Sequence, residues 1–439
     1  MAITVTPHDA LITEKRDIVI TSLSPGPARL ITTLEKPDGS YWCSVAIFEV
    51  SPSGVIELGK DMPVSGDWVT ADSMAPVWAM RSIRKPSAPA KSAEADDLVV
   101  QLTITDSSGA VQTGSFVQRF IAPGVAVTAI EHPELVGTVY YPAGEGPHPV
   151  VFGLNGSNGG MPHQRCALYA ASGYIAVALA FFGAPGRPQY FGETPLEYFE
   201  TAFIWAKEAL KPKDDFIAVV GASRGGELSF LLGATFPEHV KAVVGFVPSA
   251  VVNGIQQAGK PDLPRDTPAW YYKGEPLPNL WRGNPDADVA AYTTPIGPGL
   301  PIRQDGAFID AMRNAEYTEK SRIRVENING PVMMVSAEDD GCWPSKVFSD
   351  MIEERLKAVR HPWRIEHLFN EKAGHSIGFP YVPINETVVT HPVSGLVMDF
   401  GGTRDINAEA SRRSWRRVMT FLRRAPEYYA EGLALRETK

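Results

Sequence analysis

The sequence predicts an all-β sandwich at the amino-terminal end, followed by a larger α/β domain with a mostly parallel sheet. First, the 439 residues exceed the length of one typical domain. Second, residues 1 to about 125 contain short, β-branched and often alternating segments such as DIVITSL and LVVQLTITD, separated by turn sequences such as PDGS and DSSG. Third, after about residue 135 fully apolar segments alternate with helical ones, which is typical of a parallel sheet covered on both faces.

The amino-terminal domain is expected to span residues 1–125. Several short strands at this spacing favour a sandwich of two antiparallel sheets. The polar, proline-bearing segment 84–97, RKPSAPAKSAEADD, predicts an exposed loop inside this domain rather than a domain boundary.

The second domain is expected to span residues 126–439. Its strands are predicted in VGTVYYP, HPVVFGLNG, YIAVALAFFG, FIAVVGAS, VKAVVGFVPS and GPVMMVSAEDD. Thr194, Pro195 and Glu197 have the spacing of a helix N-cap, a first helical position and a capping box. Residues 251–325, rich in proline and aromatic residues, interrupt the alternation and predict an insertion that lids or walls a pocket.

The last segment, SRRSWRRVMTFLRRAP, predicts an amphipathic helix packed on the sheet. Its apolar residues recur at helical spacing with arginines on the opposite face. These apolar residues are Trp415, Val418, Met419 and Leu422.

Charge and cysteine content restrict the function classes. A formal net charge of -9 and a pI near 5.6 argue against binding to duplex nucleic acid. No apolar run is long enough to predict a membrane-spanning helix, and the first residues lack the pattern of a secretory signal. The widely separated Cys43, Cys166 and Cys342 predict neither a disulfide framework nor a metal site, which favours a reducing, cytoplasmic compartment.

The segment GASRG, residues 221–225, has the form G-x-S-x-G and lies between a predicted strand and a predicted helix. A serine on such a sharp turn adopts a strained backbone conformation, and side chains two positions away on either side would clash. The turn exposes the hydroxyl group and directs the first N–H groups of the helix toward an anion formed there. Ser223 is therefore the candidate nucleophile.

A serine nucleophile needs a histidine base and an acid that orients the base. Glu338, Asp339 and Asp340 end a predicted strand, and the residues alone do not decide which of them is the acid. His375 follows a later strand and has the best placement for the base. The other histidines considered are less well placed: His361 precedes a proline, His367 lies inside a strand and His391 lies far downstream.

Two backbone N–H groups are expected to stabilise an oxyanion. One is that of Arg224, directly after the serine, and the other comes from the loop after VVFGLNG, for which Gly156 and Ser157 are the candidates. A glycine-rich loop could instead cradle a phosphate group, but no G-x-x-x-x-G-K-[ST] pattern is present.

At this point the residues resemble a known family, that of the acyl-CoA thioesterases and bile acid-CoA:amino acid N-acyltransferases. The resemblance extends over nearly the whole chain and includes SGDWVTADSMAPVWAM, VVGASRGGELSFLLGATFP, GPVMMVSAEDDGCWPS, AGHSIGFPYVP and GGTRDINAEASRRSWRRVMTFL. It implies an α/β-hydrolase fold preceded by an immunoglobulin-like sandwich. It also implies that the acid is Asp340, the second aspartate of the family's paired motif, and that a serine nucleophile goes with thioester hydrolysis, whereas cysteine is typical of the amino-acid transferases.

The expected activity is therefore hydrolysis of an acyl-CoA thioester through an acyl-serine intermediate. Coenzyme A enters as part of the substrate, and no separate cofactor is expected. The expected partner is a small-molecule acyl thioester or ester, bound by a monomer or a weak homo-oligomer. The alternatives are acyl transfer to an amine or alcohol, esterase or peptidase activity on a substrate without coenzyme A, and a non-catalytic role in which the sandwich is a binding module.

Overall fold

The computed structural model describes residues 3–84, 95–295, 297–383 and 387–437. Most of the loop predicted at residues 84–97 therefore lies outside the described residues.

Short, alternating strands build the amino-terminal part of the chain, as the sequence predicts. They are β1 (Ile3–Thr6), β2 (Asp9–Leu11), β3 (Asp17–Ile20), β4 (Gly26–Glu35), β5 (Tyr41–Val50), β6 (Ile56–Glu57), β7 (Ser65–Gly66), β8 (Arg81–Arg84), β9 (Leu98–Thr105) and β10 (Val111–Arg119), with one short helix, α1 (Ala75–Trp78).

Two sheets form from these strands. A three-stranded sheet has the order β1-β3-β6, and a seven-stranded sheet has the order β2-β10-β9-β4-β5-β7 with β8 also paired to β5. The pairs are antiparallel except for β2 and β10, which run parallel. Along β4, Ala28, Leu30 and Leu34 are buried while their neighbours are more exposed, so one face of this sheet faces the core.

The remaining strands are β11 (Ala126–Ala129), β12 (Val136–Tyr141), β13 (Val150–Leu154), β14 (Ile175–Ala180), β15 (Thr194–Pro195), β16 (Ile217–Ala222), β17 (Ala242–Phe246), β18 (Trp270–Tyr272), β19 (Glu275–Pro276), β20 (Val332–Ala337), β21 (Ile365–Asn370), β22 (Val388–Thr390) and β23 (Val397–Asp399). The remaining helices are α2 (His163–Ala170), α3 (Glu197–Leu210), α4 (Arg224–Thr235), α5 (Asp305–Met312), α6 (Ala315–Ser321), α7 (Ser345–Ala358) and α8 (Arg404–Glu437).

An eight-stranded sheet organises this second part, in the order β11-β12-β14-β13-β16-β17-β20-β21. The six strands from β14 to β21 in this order are parallel to one another, and β12 runs antiparallel to both β11 and β14. This arrangement is the α/β-hydrolase fold, in which catalytic loops gather beyond the carboxyl ends of the parallel strands.

Buried residues fill both faces of this sheet. Val151 and Val220 belong to an apolar cluster that extends to α8 and to the amino-terminal sandwich, whereas Val150 and Phe152 belong to a cluster on the opposite face. Because successive strand residues point to opposite faces, continuous apolar strands such as IAVALA are the expected sequence of a sheet covered on both sides.

Polar contacts also join the sandwich to the second part. The Gln118 side-chain amide donates a hydrogen bond of 2.8 Å to the Tyr381 carbonyl, and Arg412 Nη1 of α8 lies 2.7 Å from Asp72 Oδ2. Together with the shared apolar cluster, these contacts hold the sandwich against the sheet.

The predicted capping box at Thr194 is wrong. Thr194 and Pro195 form β15, which pairs with Trp270 and Tyr271, and α3 begins only at Glu197. The Glu197 carboxylate accepts a hydrogen bond of 2.5 Å from the Lys273 amide instead of closing a capping box. Pairing with a segment distant in sequence has overridden the local signal.

The terminal helix is longer than the sequence predicts. The pattern indicated residues 411–426, whereas α8 spans Arg404–Glu437 and contains Pro426. The predicted apolar face is buried, since Trp415, Val418, Met419 and Leu422 all lie in the core. Among the helices that the structure describes, none is long and apolar enough to cross a membrane.

Candidate active site

Ser223 lies on the sharp turn between β16 and α4. Its backbone has φ 58° and ψ -123°, in the region that residues with a side chain rarely adopt. Its amide donates a hydrogen bond of 2.9 Å to the Phe246 carbonyl of β17, which holds the turn against the neighbouring strand. Backbone strain of this kind persists only where surrounding structure enforces it.

The two glycines of GASRG occupy positions that have no room for a side chain. A Cβ atom on Gly221 would lie 2.0 Å from the Gly225 carbonyl oxygen, and one on Gly225 would lie 2.5 Å from the Leu154 carbonyl oxygen. Both distances are far below van der Waals contact, so any side chain at either position forces the backbone apart. The packing thus explains why the G-x-S-x-G pattern has glycine at both of these positions.

Three side chains predicted from the sequence converge at this turn. His375 Nε2 lies 2.8 Å from Ser223 Oγ, and His375 Nδ1 lies 2.8 Å and 2.9 Å from the two carboxylate oxygens of Asp340. His375 is 8% exposed and Asp340 is 2% exposed, so the hydrogen-bonded chain is shielded from water except near the hydroxyl group. Such a chain can take a proton from the serine and stabilise the imidazolium that results.

The geometry distinguishes the three acids at the end of β20. Only Asp340 contacts His375, and its Oδ1 atom also accepts hydrogen bonds from the Cys342 and Trp343 amides at 3.0 Å and 3.3 Å. Asp339 instead binds Arg303, and Glu338 accepts a hydrogen bond from the Lys372 amide. The backbone donors fix the Asp340 carboxylate in the orientation that faces the imidazole.

The loop after β13, which carries the candidate oxyanion donors, lies against the Ser223 turn. A Cβ atom placed on Gly156 would lie 3.2 Å from Ser223 Cβ and 3.7 Å from the Arg224 amide nitrogen. A glycine at this position lets the loop backbone approach the serine closely. Gly156 is therefore a close neighbour of both Ser223 and the Arg224 amide nitrogen, and Ser157 follows it in the same loop.

The Arg224 side chain has a role that the sequence analysis did not foresee. It is buried, and its Nη1 atom lies 2.8 Å from Glu227 Oε2. Its Nη2 atom donates to the Gly254 carbonyl at 2.9 Å and to Gln256 Oε1 at 2.5 Å. Glu227 also accepts from the Trp270 indole at 2.9 Å. Residues from the predicted insertion 251–325 thus complete the polar environment of the first turn of α4.

His391, although far downstream in the sequence, contacts the loop that carries Gly156 and Ser157. Its Nε2 atom lies 2.9 Å from Ser157 Oγ, and burial, with a further contribution from Arg265, lowers the pKa of His391 to about 4. The two residues are 234 positions apart, and no local sequence signal connects them.

One group of side chains here has the composition of a metal site. Ligand atoms of Asp340, Cys342 and His375 lie within 4.8 Å of one another. However, both oxygens of Asp340 already face His375, and burial raises the pKa of the Cys342 thiol well above its usual value. The Asp340 carboxylate is therefore already engaged in the serine–histidine–aspartate chain.

Several known proteins are similar to this chain over nearly its whole length. Acyl-coenzyme A thioesterase 1 of Mus musculus is 26% identical over 416 residues, covering 93% of this chain and 92% of the relative. Acyl-coenzyme A amino acid N-acyltransferase 2 of Mus musculus is 27% identical over 442 residues, covering 95% and 96%. Peroxisomal succinyl-coenzyme A thioesterase of Mus musculus is 25% identical over 414 residues, covering 93% and 92%.

Two family profiles match the chain. "Acyl-CoA thioester hydrolase/BAAT N-terminal region" matches residues 13–132, and "BAAT / Acyl-CoA thioester hydrolase C terminal" matches residues 194–427. The second match alone covers more than half of the chain and includes Ser223, Asp340 and His375. The chain therefore belongs to the BAAT/acyl-CoA thioester hydrolase family, as the sequence motifs predict.

Proposed function

We propose that this chain is a serine-dependent acyl-CoA thioesterase, in which Ser223 is the nucleophile, His375 the base and Asp340 the acid that orients it. The observation that carries the proposal is the continuous hydrogen-bonded chain from Ser223 Oγ through His375 to Asp340. Membership of a family of acyl-CoA thioester hydrolases supports the choice of substrate.

The reaction has two half-reactions. In the first, Ser223 Oγ attacks the thioester carbonyl carbon while His375 Nε2 takes the hydroxyl proton, and the C–S bond then breaks as coenzyme A leaves with a proton. In the second, His375 takes a proton from water, the hydroxide attacks the acyl ester, and the free acid leaves as Ser223 recovers its proton. Asp340 stays ionised and stabilises the imidazolium in both half-reactions.

The oxyanion of each tetrahedral intermediate is stabilised by backbone donors. The Arg224 amide is the first donor, and an amide from Gly156 or Ser157 is the second. Each such hydrogen bond is worth about 3 kcal/mol in the transition state, because it forms where negative charge develops in a site that excludes water.

The contacts around the site support a separate role for each part of the chain. In this proposal, residues 126–439 form the catalytic domain and residues 1–125 form a sandwich that supports it. Residues 251–325 wall the pocket, because Gly254, Gln256 and Trp270 bind the buried Arg224–Glu227 pair.

No separate cofactor takes part, since coenzyme A is the leaving group. The cysteines Cys43, Cys166 and Cys342 are all unpaired, which supports a reducing, cytoplasmic location.

Acyl transfer is the second candidate function. The acyl-serine intermediate can be attacked by an amine as well as by water, and one relative of 27% identity is an amino acid N-acyltransferase. In our proposal water is the favoured acceptor of the acyl group, because the nucleophile at position 223 is a serine. The family resemblance associates serine with thioester hydrolysis and cysteine with the amino-acid transferases.

The test is product analysis by mass spectrometry. The purified chain is incubated with acyl-CoA esters of increasing chain length, with and without glycine or taurine, and in parallel with p-nitrophenyl esters. We expect free acid and coenzyme A in every acyl-CoA reaction, loss of both in Ser223→Ala, and normal activity in Ser172→Ala, whose hydroxyl group caps the end of α2. Acyl-glycine or acyl-taurine as the main product would indicate a transferase, and activity on the p-nitrophenyl esters alone would indicate an esterase.

A further inference from the structure

The contact between Ser157 and His391 has a defined direction. His391 Nδ1 lies 3.3 Å from the backbone nitrogens of both Val393 and Ser394, and amide N–H groups can only donate. Nδ1 is therefore the unprotonated acceptor of the ring. The proton of the neutral imidazole must then be on Nε2, which donates to Ser157 Oγ at 2.9 Å.

The ring also remains neutral. Burial, with a contribution from the nearby Arg265, lowers the pKa of His391 to about 4, and only 3% of the residue is exposed. At neutral pH His391 is thus a permanent donor to Ser157 Oγ and takes no part in proton transfer. Because the oxygen of Ser157 accepts this hydrogen bond, the hydroxyl proton of Ser157 is directed elsewhere and is available to a second acceptor.

Ser157 lies on a hydrogen-bonded turn whose first residue is next to the nucleophile. The Gly159 amide donates to the Gly156 carbonyl at 3.2 Å, so Ser157 occupies the second position of a four-residue turn. The Asn155 side-chain amide braces the same turn through a hydrogen bond of 2.9 Å to the Gly159 carbonyl. Gly156, the first residue of the turn, is the one that lies against Ser223.

The β22–β23 hairpin ties this turn to the catalytic histidine. His391 follows β22, and its amide donates to the Leu396 carbonyl at 2.8 Å across the hairpin. Phe400, directly after β23, accepts a hydrogen bond of 2.7 Å from the His375 amide. One short hairpin therefore positions both the base and the residue that orients the Ser157 hydroxyl group.

We propose that the Ser157 hydroxyl group is a third donor to the oxyanion, in addition to the backbone amides, and that His391 is the positioning residue that orients it. Ser157 is then a catalytic residue through its side chain, not only through its backbone. The proposal rests on the proposed function of Ser223, and its test is designed so that the two can fail separately.

The test compares Ser157→Ala, His391→Ala and the double variant, with acyl-CoA and with a p-nitrophenyl ester as substrates. We expect Ser157→Ala to lower kcat about 100-fold, the effect of removing one oxyanion donor, with KM changed less than about twofold. His391→Ala should give a similar loss, and the double variant should be no slower than Ser157→Ala, because both changes remove the same hydrogen bond. His391→Gln, which keeps a neutral N–H donor, should recover part of kcat.

A second readout separates catalysis from structure. A trifluoromethyl ketone analogue of the substrate forms a tetrahedral adduct with an oxyanion, so its inhibition constant should rise by the same factor as kcat falls. The inhibition constant of a non-reactive thioether analogue should not change. Matched controls are Ser172→Ala and His361→Ala, whose side chains bind the Leu168 and Gly330 carbonyls away from the site and should leave kcat and both constants unchanged.

Two outcomes overturn the proposal. A Ser157→Ala variant with kcat within twofold of the unmodified chain shows that the hydroxyl group is not a donor. Losses that multiply in the double variant show that His391 does not act through Ser157. Activity on the ester but not on acyl-CoA contradicts only the proposed substrate, because the oxyanion comparison can then be read from the ester.

Discussion

Arg224 and Glu227 form an ion pair on the first turn of the helix that follows Ser223, with Nη1 2.8 Å from Oε2 and with side chains that are 2% and 0% exposed. Hydrogen bonds with four positions in residues 251–325 complete the pair: Arg224 donates to Gly254 and Gln256, and Glu227 accepts from Asn253 and Trp270. A buried ion pair is strongly coupled to its surroundings, since removing one partner leaves an uncompensated charge without water. This pair therefore links the Ser223 turn to the segment that walls the pocket.

Glu227→Gln tests this link. The change keeps the shape of the side chain but leaves the Arg224 charge unpaired, so we expect the free energy of unfolding to fall by about 3–5 kcal/mol. Urea unfolding at equilibrium measures the change. Glu316→Gln is the matched control, because Glu316 pairs with Lys320 at the surface, where such pairs contribute little. Equal effects of the two substitutions would contradict the role assigned to the buried pair.

Asp340→Asn tests the choice of acid. The amide cannot stabilise the imidazolium of His375 and favours the wrong tautomer, so we expect kcat to fall by about 10⁴. Asp339→Asn is the control, since Asp339 binds Arg303 and the Gly402 amide instead of the base. The decrease in kcat caused by Asp339→Asn should be at least about 100-fold smaller than that caused by Asp340→Asn. Stopped-flow detection of released coenzyme A provides the rates, and a reversed order of the two variants would show that the acid is wrongly assigned.

Gly221→Ala tests the close packing of the Ser223 turn. A methyl group at this position meets the Gly225 carbonyl oxygen at 2.0 Å, and the backbone must move to relieve the clash. We expect a loss of stability of about 3 kcal/mol, at the upper end of the usual effect of overpacking, together with loss of activity. The control is Gly306→Ala in α5, where a Cβ atom has no neighbour within 4 Å and alanine is the better helix former. A tolerated alanine at position 221 would mean that the turn is looser than described.

The buried His391 predicts a pH dependence of stability. Its pKa is about 4 in the folded chain and near 6.5 when unfolded, so the unfolded chain binds more protons between these values. The contribution of His391 to the free energy of unfolding is therefore present above pH 6.5 and is lost as the pH falls. At pH 4 this loss amounts to about 3 kcal/mol from this residue alone. Unfolding free energies of the unmodified chain and of His391→Gln, measured from pH 7.5 to pH 4, should diverge by this amount. Parallel curves would show that His391 titrates normally.

Much of the fold could be predicted because its signals are local. The apolar strands and the helix after Ser223 occur where the periodicity places them, and the glycines of GASRG occur where the turn leaves no room for a side chain. The candidate triad could be predicted because Ser223, Asp340 and His375 each follow a strand of one parallel sheet. The residues alone left Glu338, Asp339 and Asp340 open as the acid, and only the resemblance selected Asp340.

The remaining features depend on contacts between distant segments. Thr194 has the pattern of an N-cap, but β18 pairs with it as a strand. Arg224 and Glu227 have the spacing of an ordinary surface ion pair, and only the packing of residues 251–325 buries them. His391 contacts Ser157 across the fold, which periodicity cannot indicate because the two positions belong to separate elements.

The most direct test of the central claim is to identify the residue that carries the acyl group. Acid quenching during the first turnover of an acyl-CoA substrate, followed by proteolysis and mass spectrometry, should find the acyl mass on the peptide that contains Ser223. The same peptide should remain unmodified in Ser223→Ala, and release of coenzyme A should stop. An acyl group on another residue, or continued release of coenzyme A by Ser223→Ala, would contradict the account.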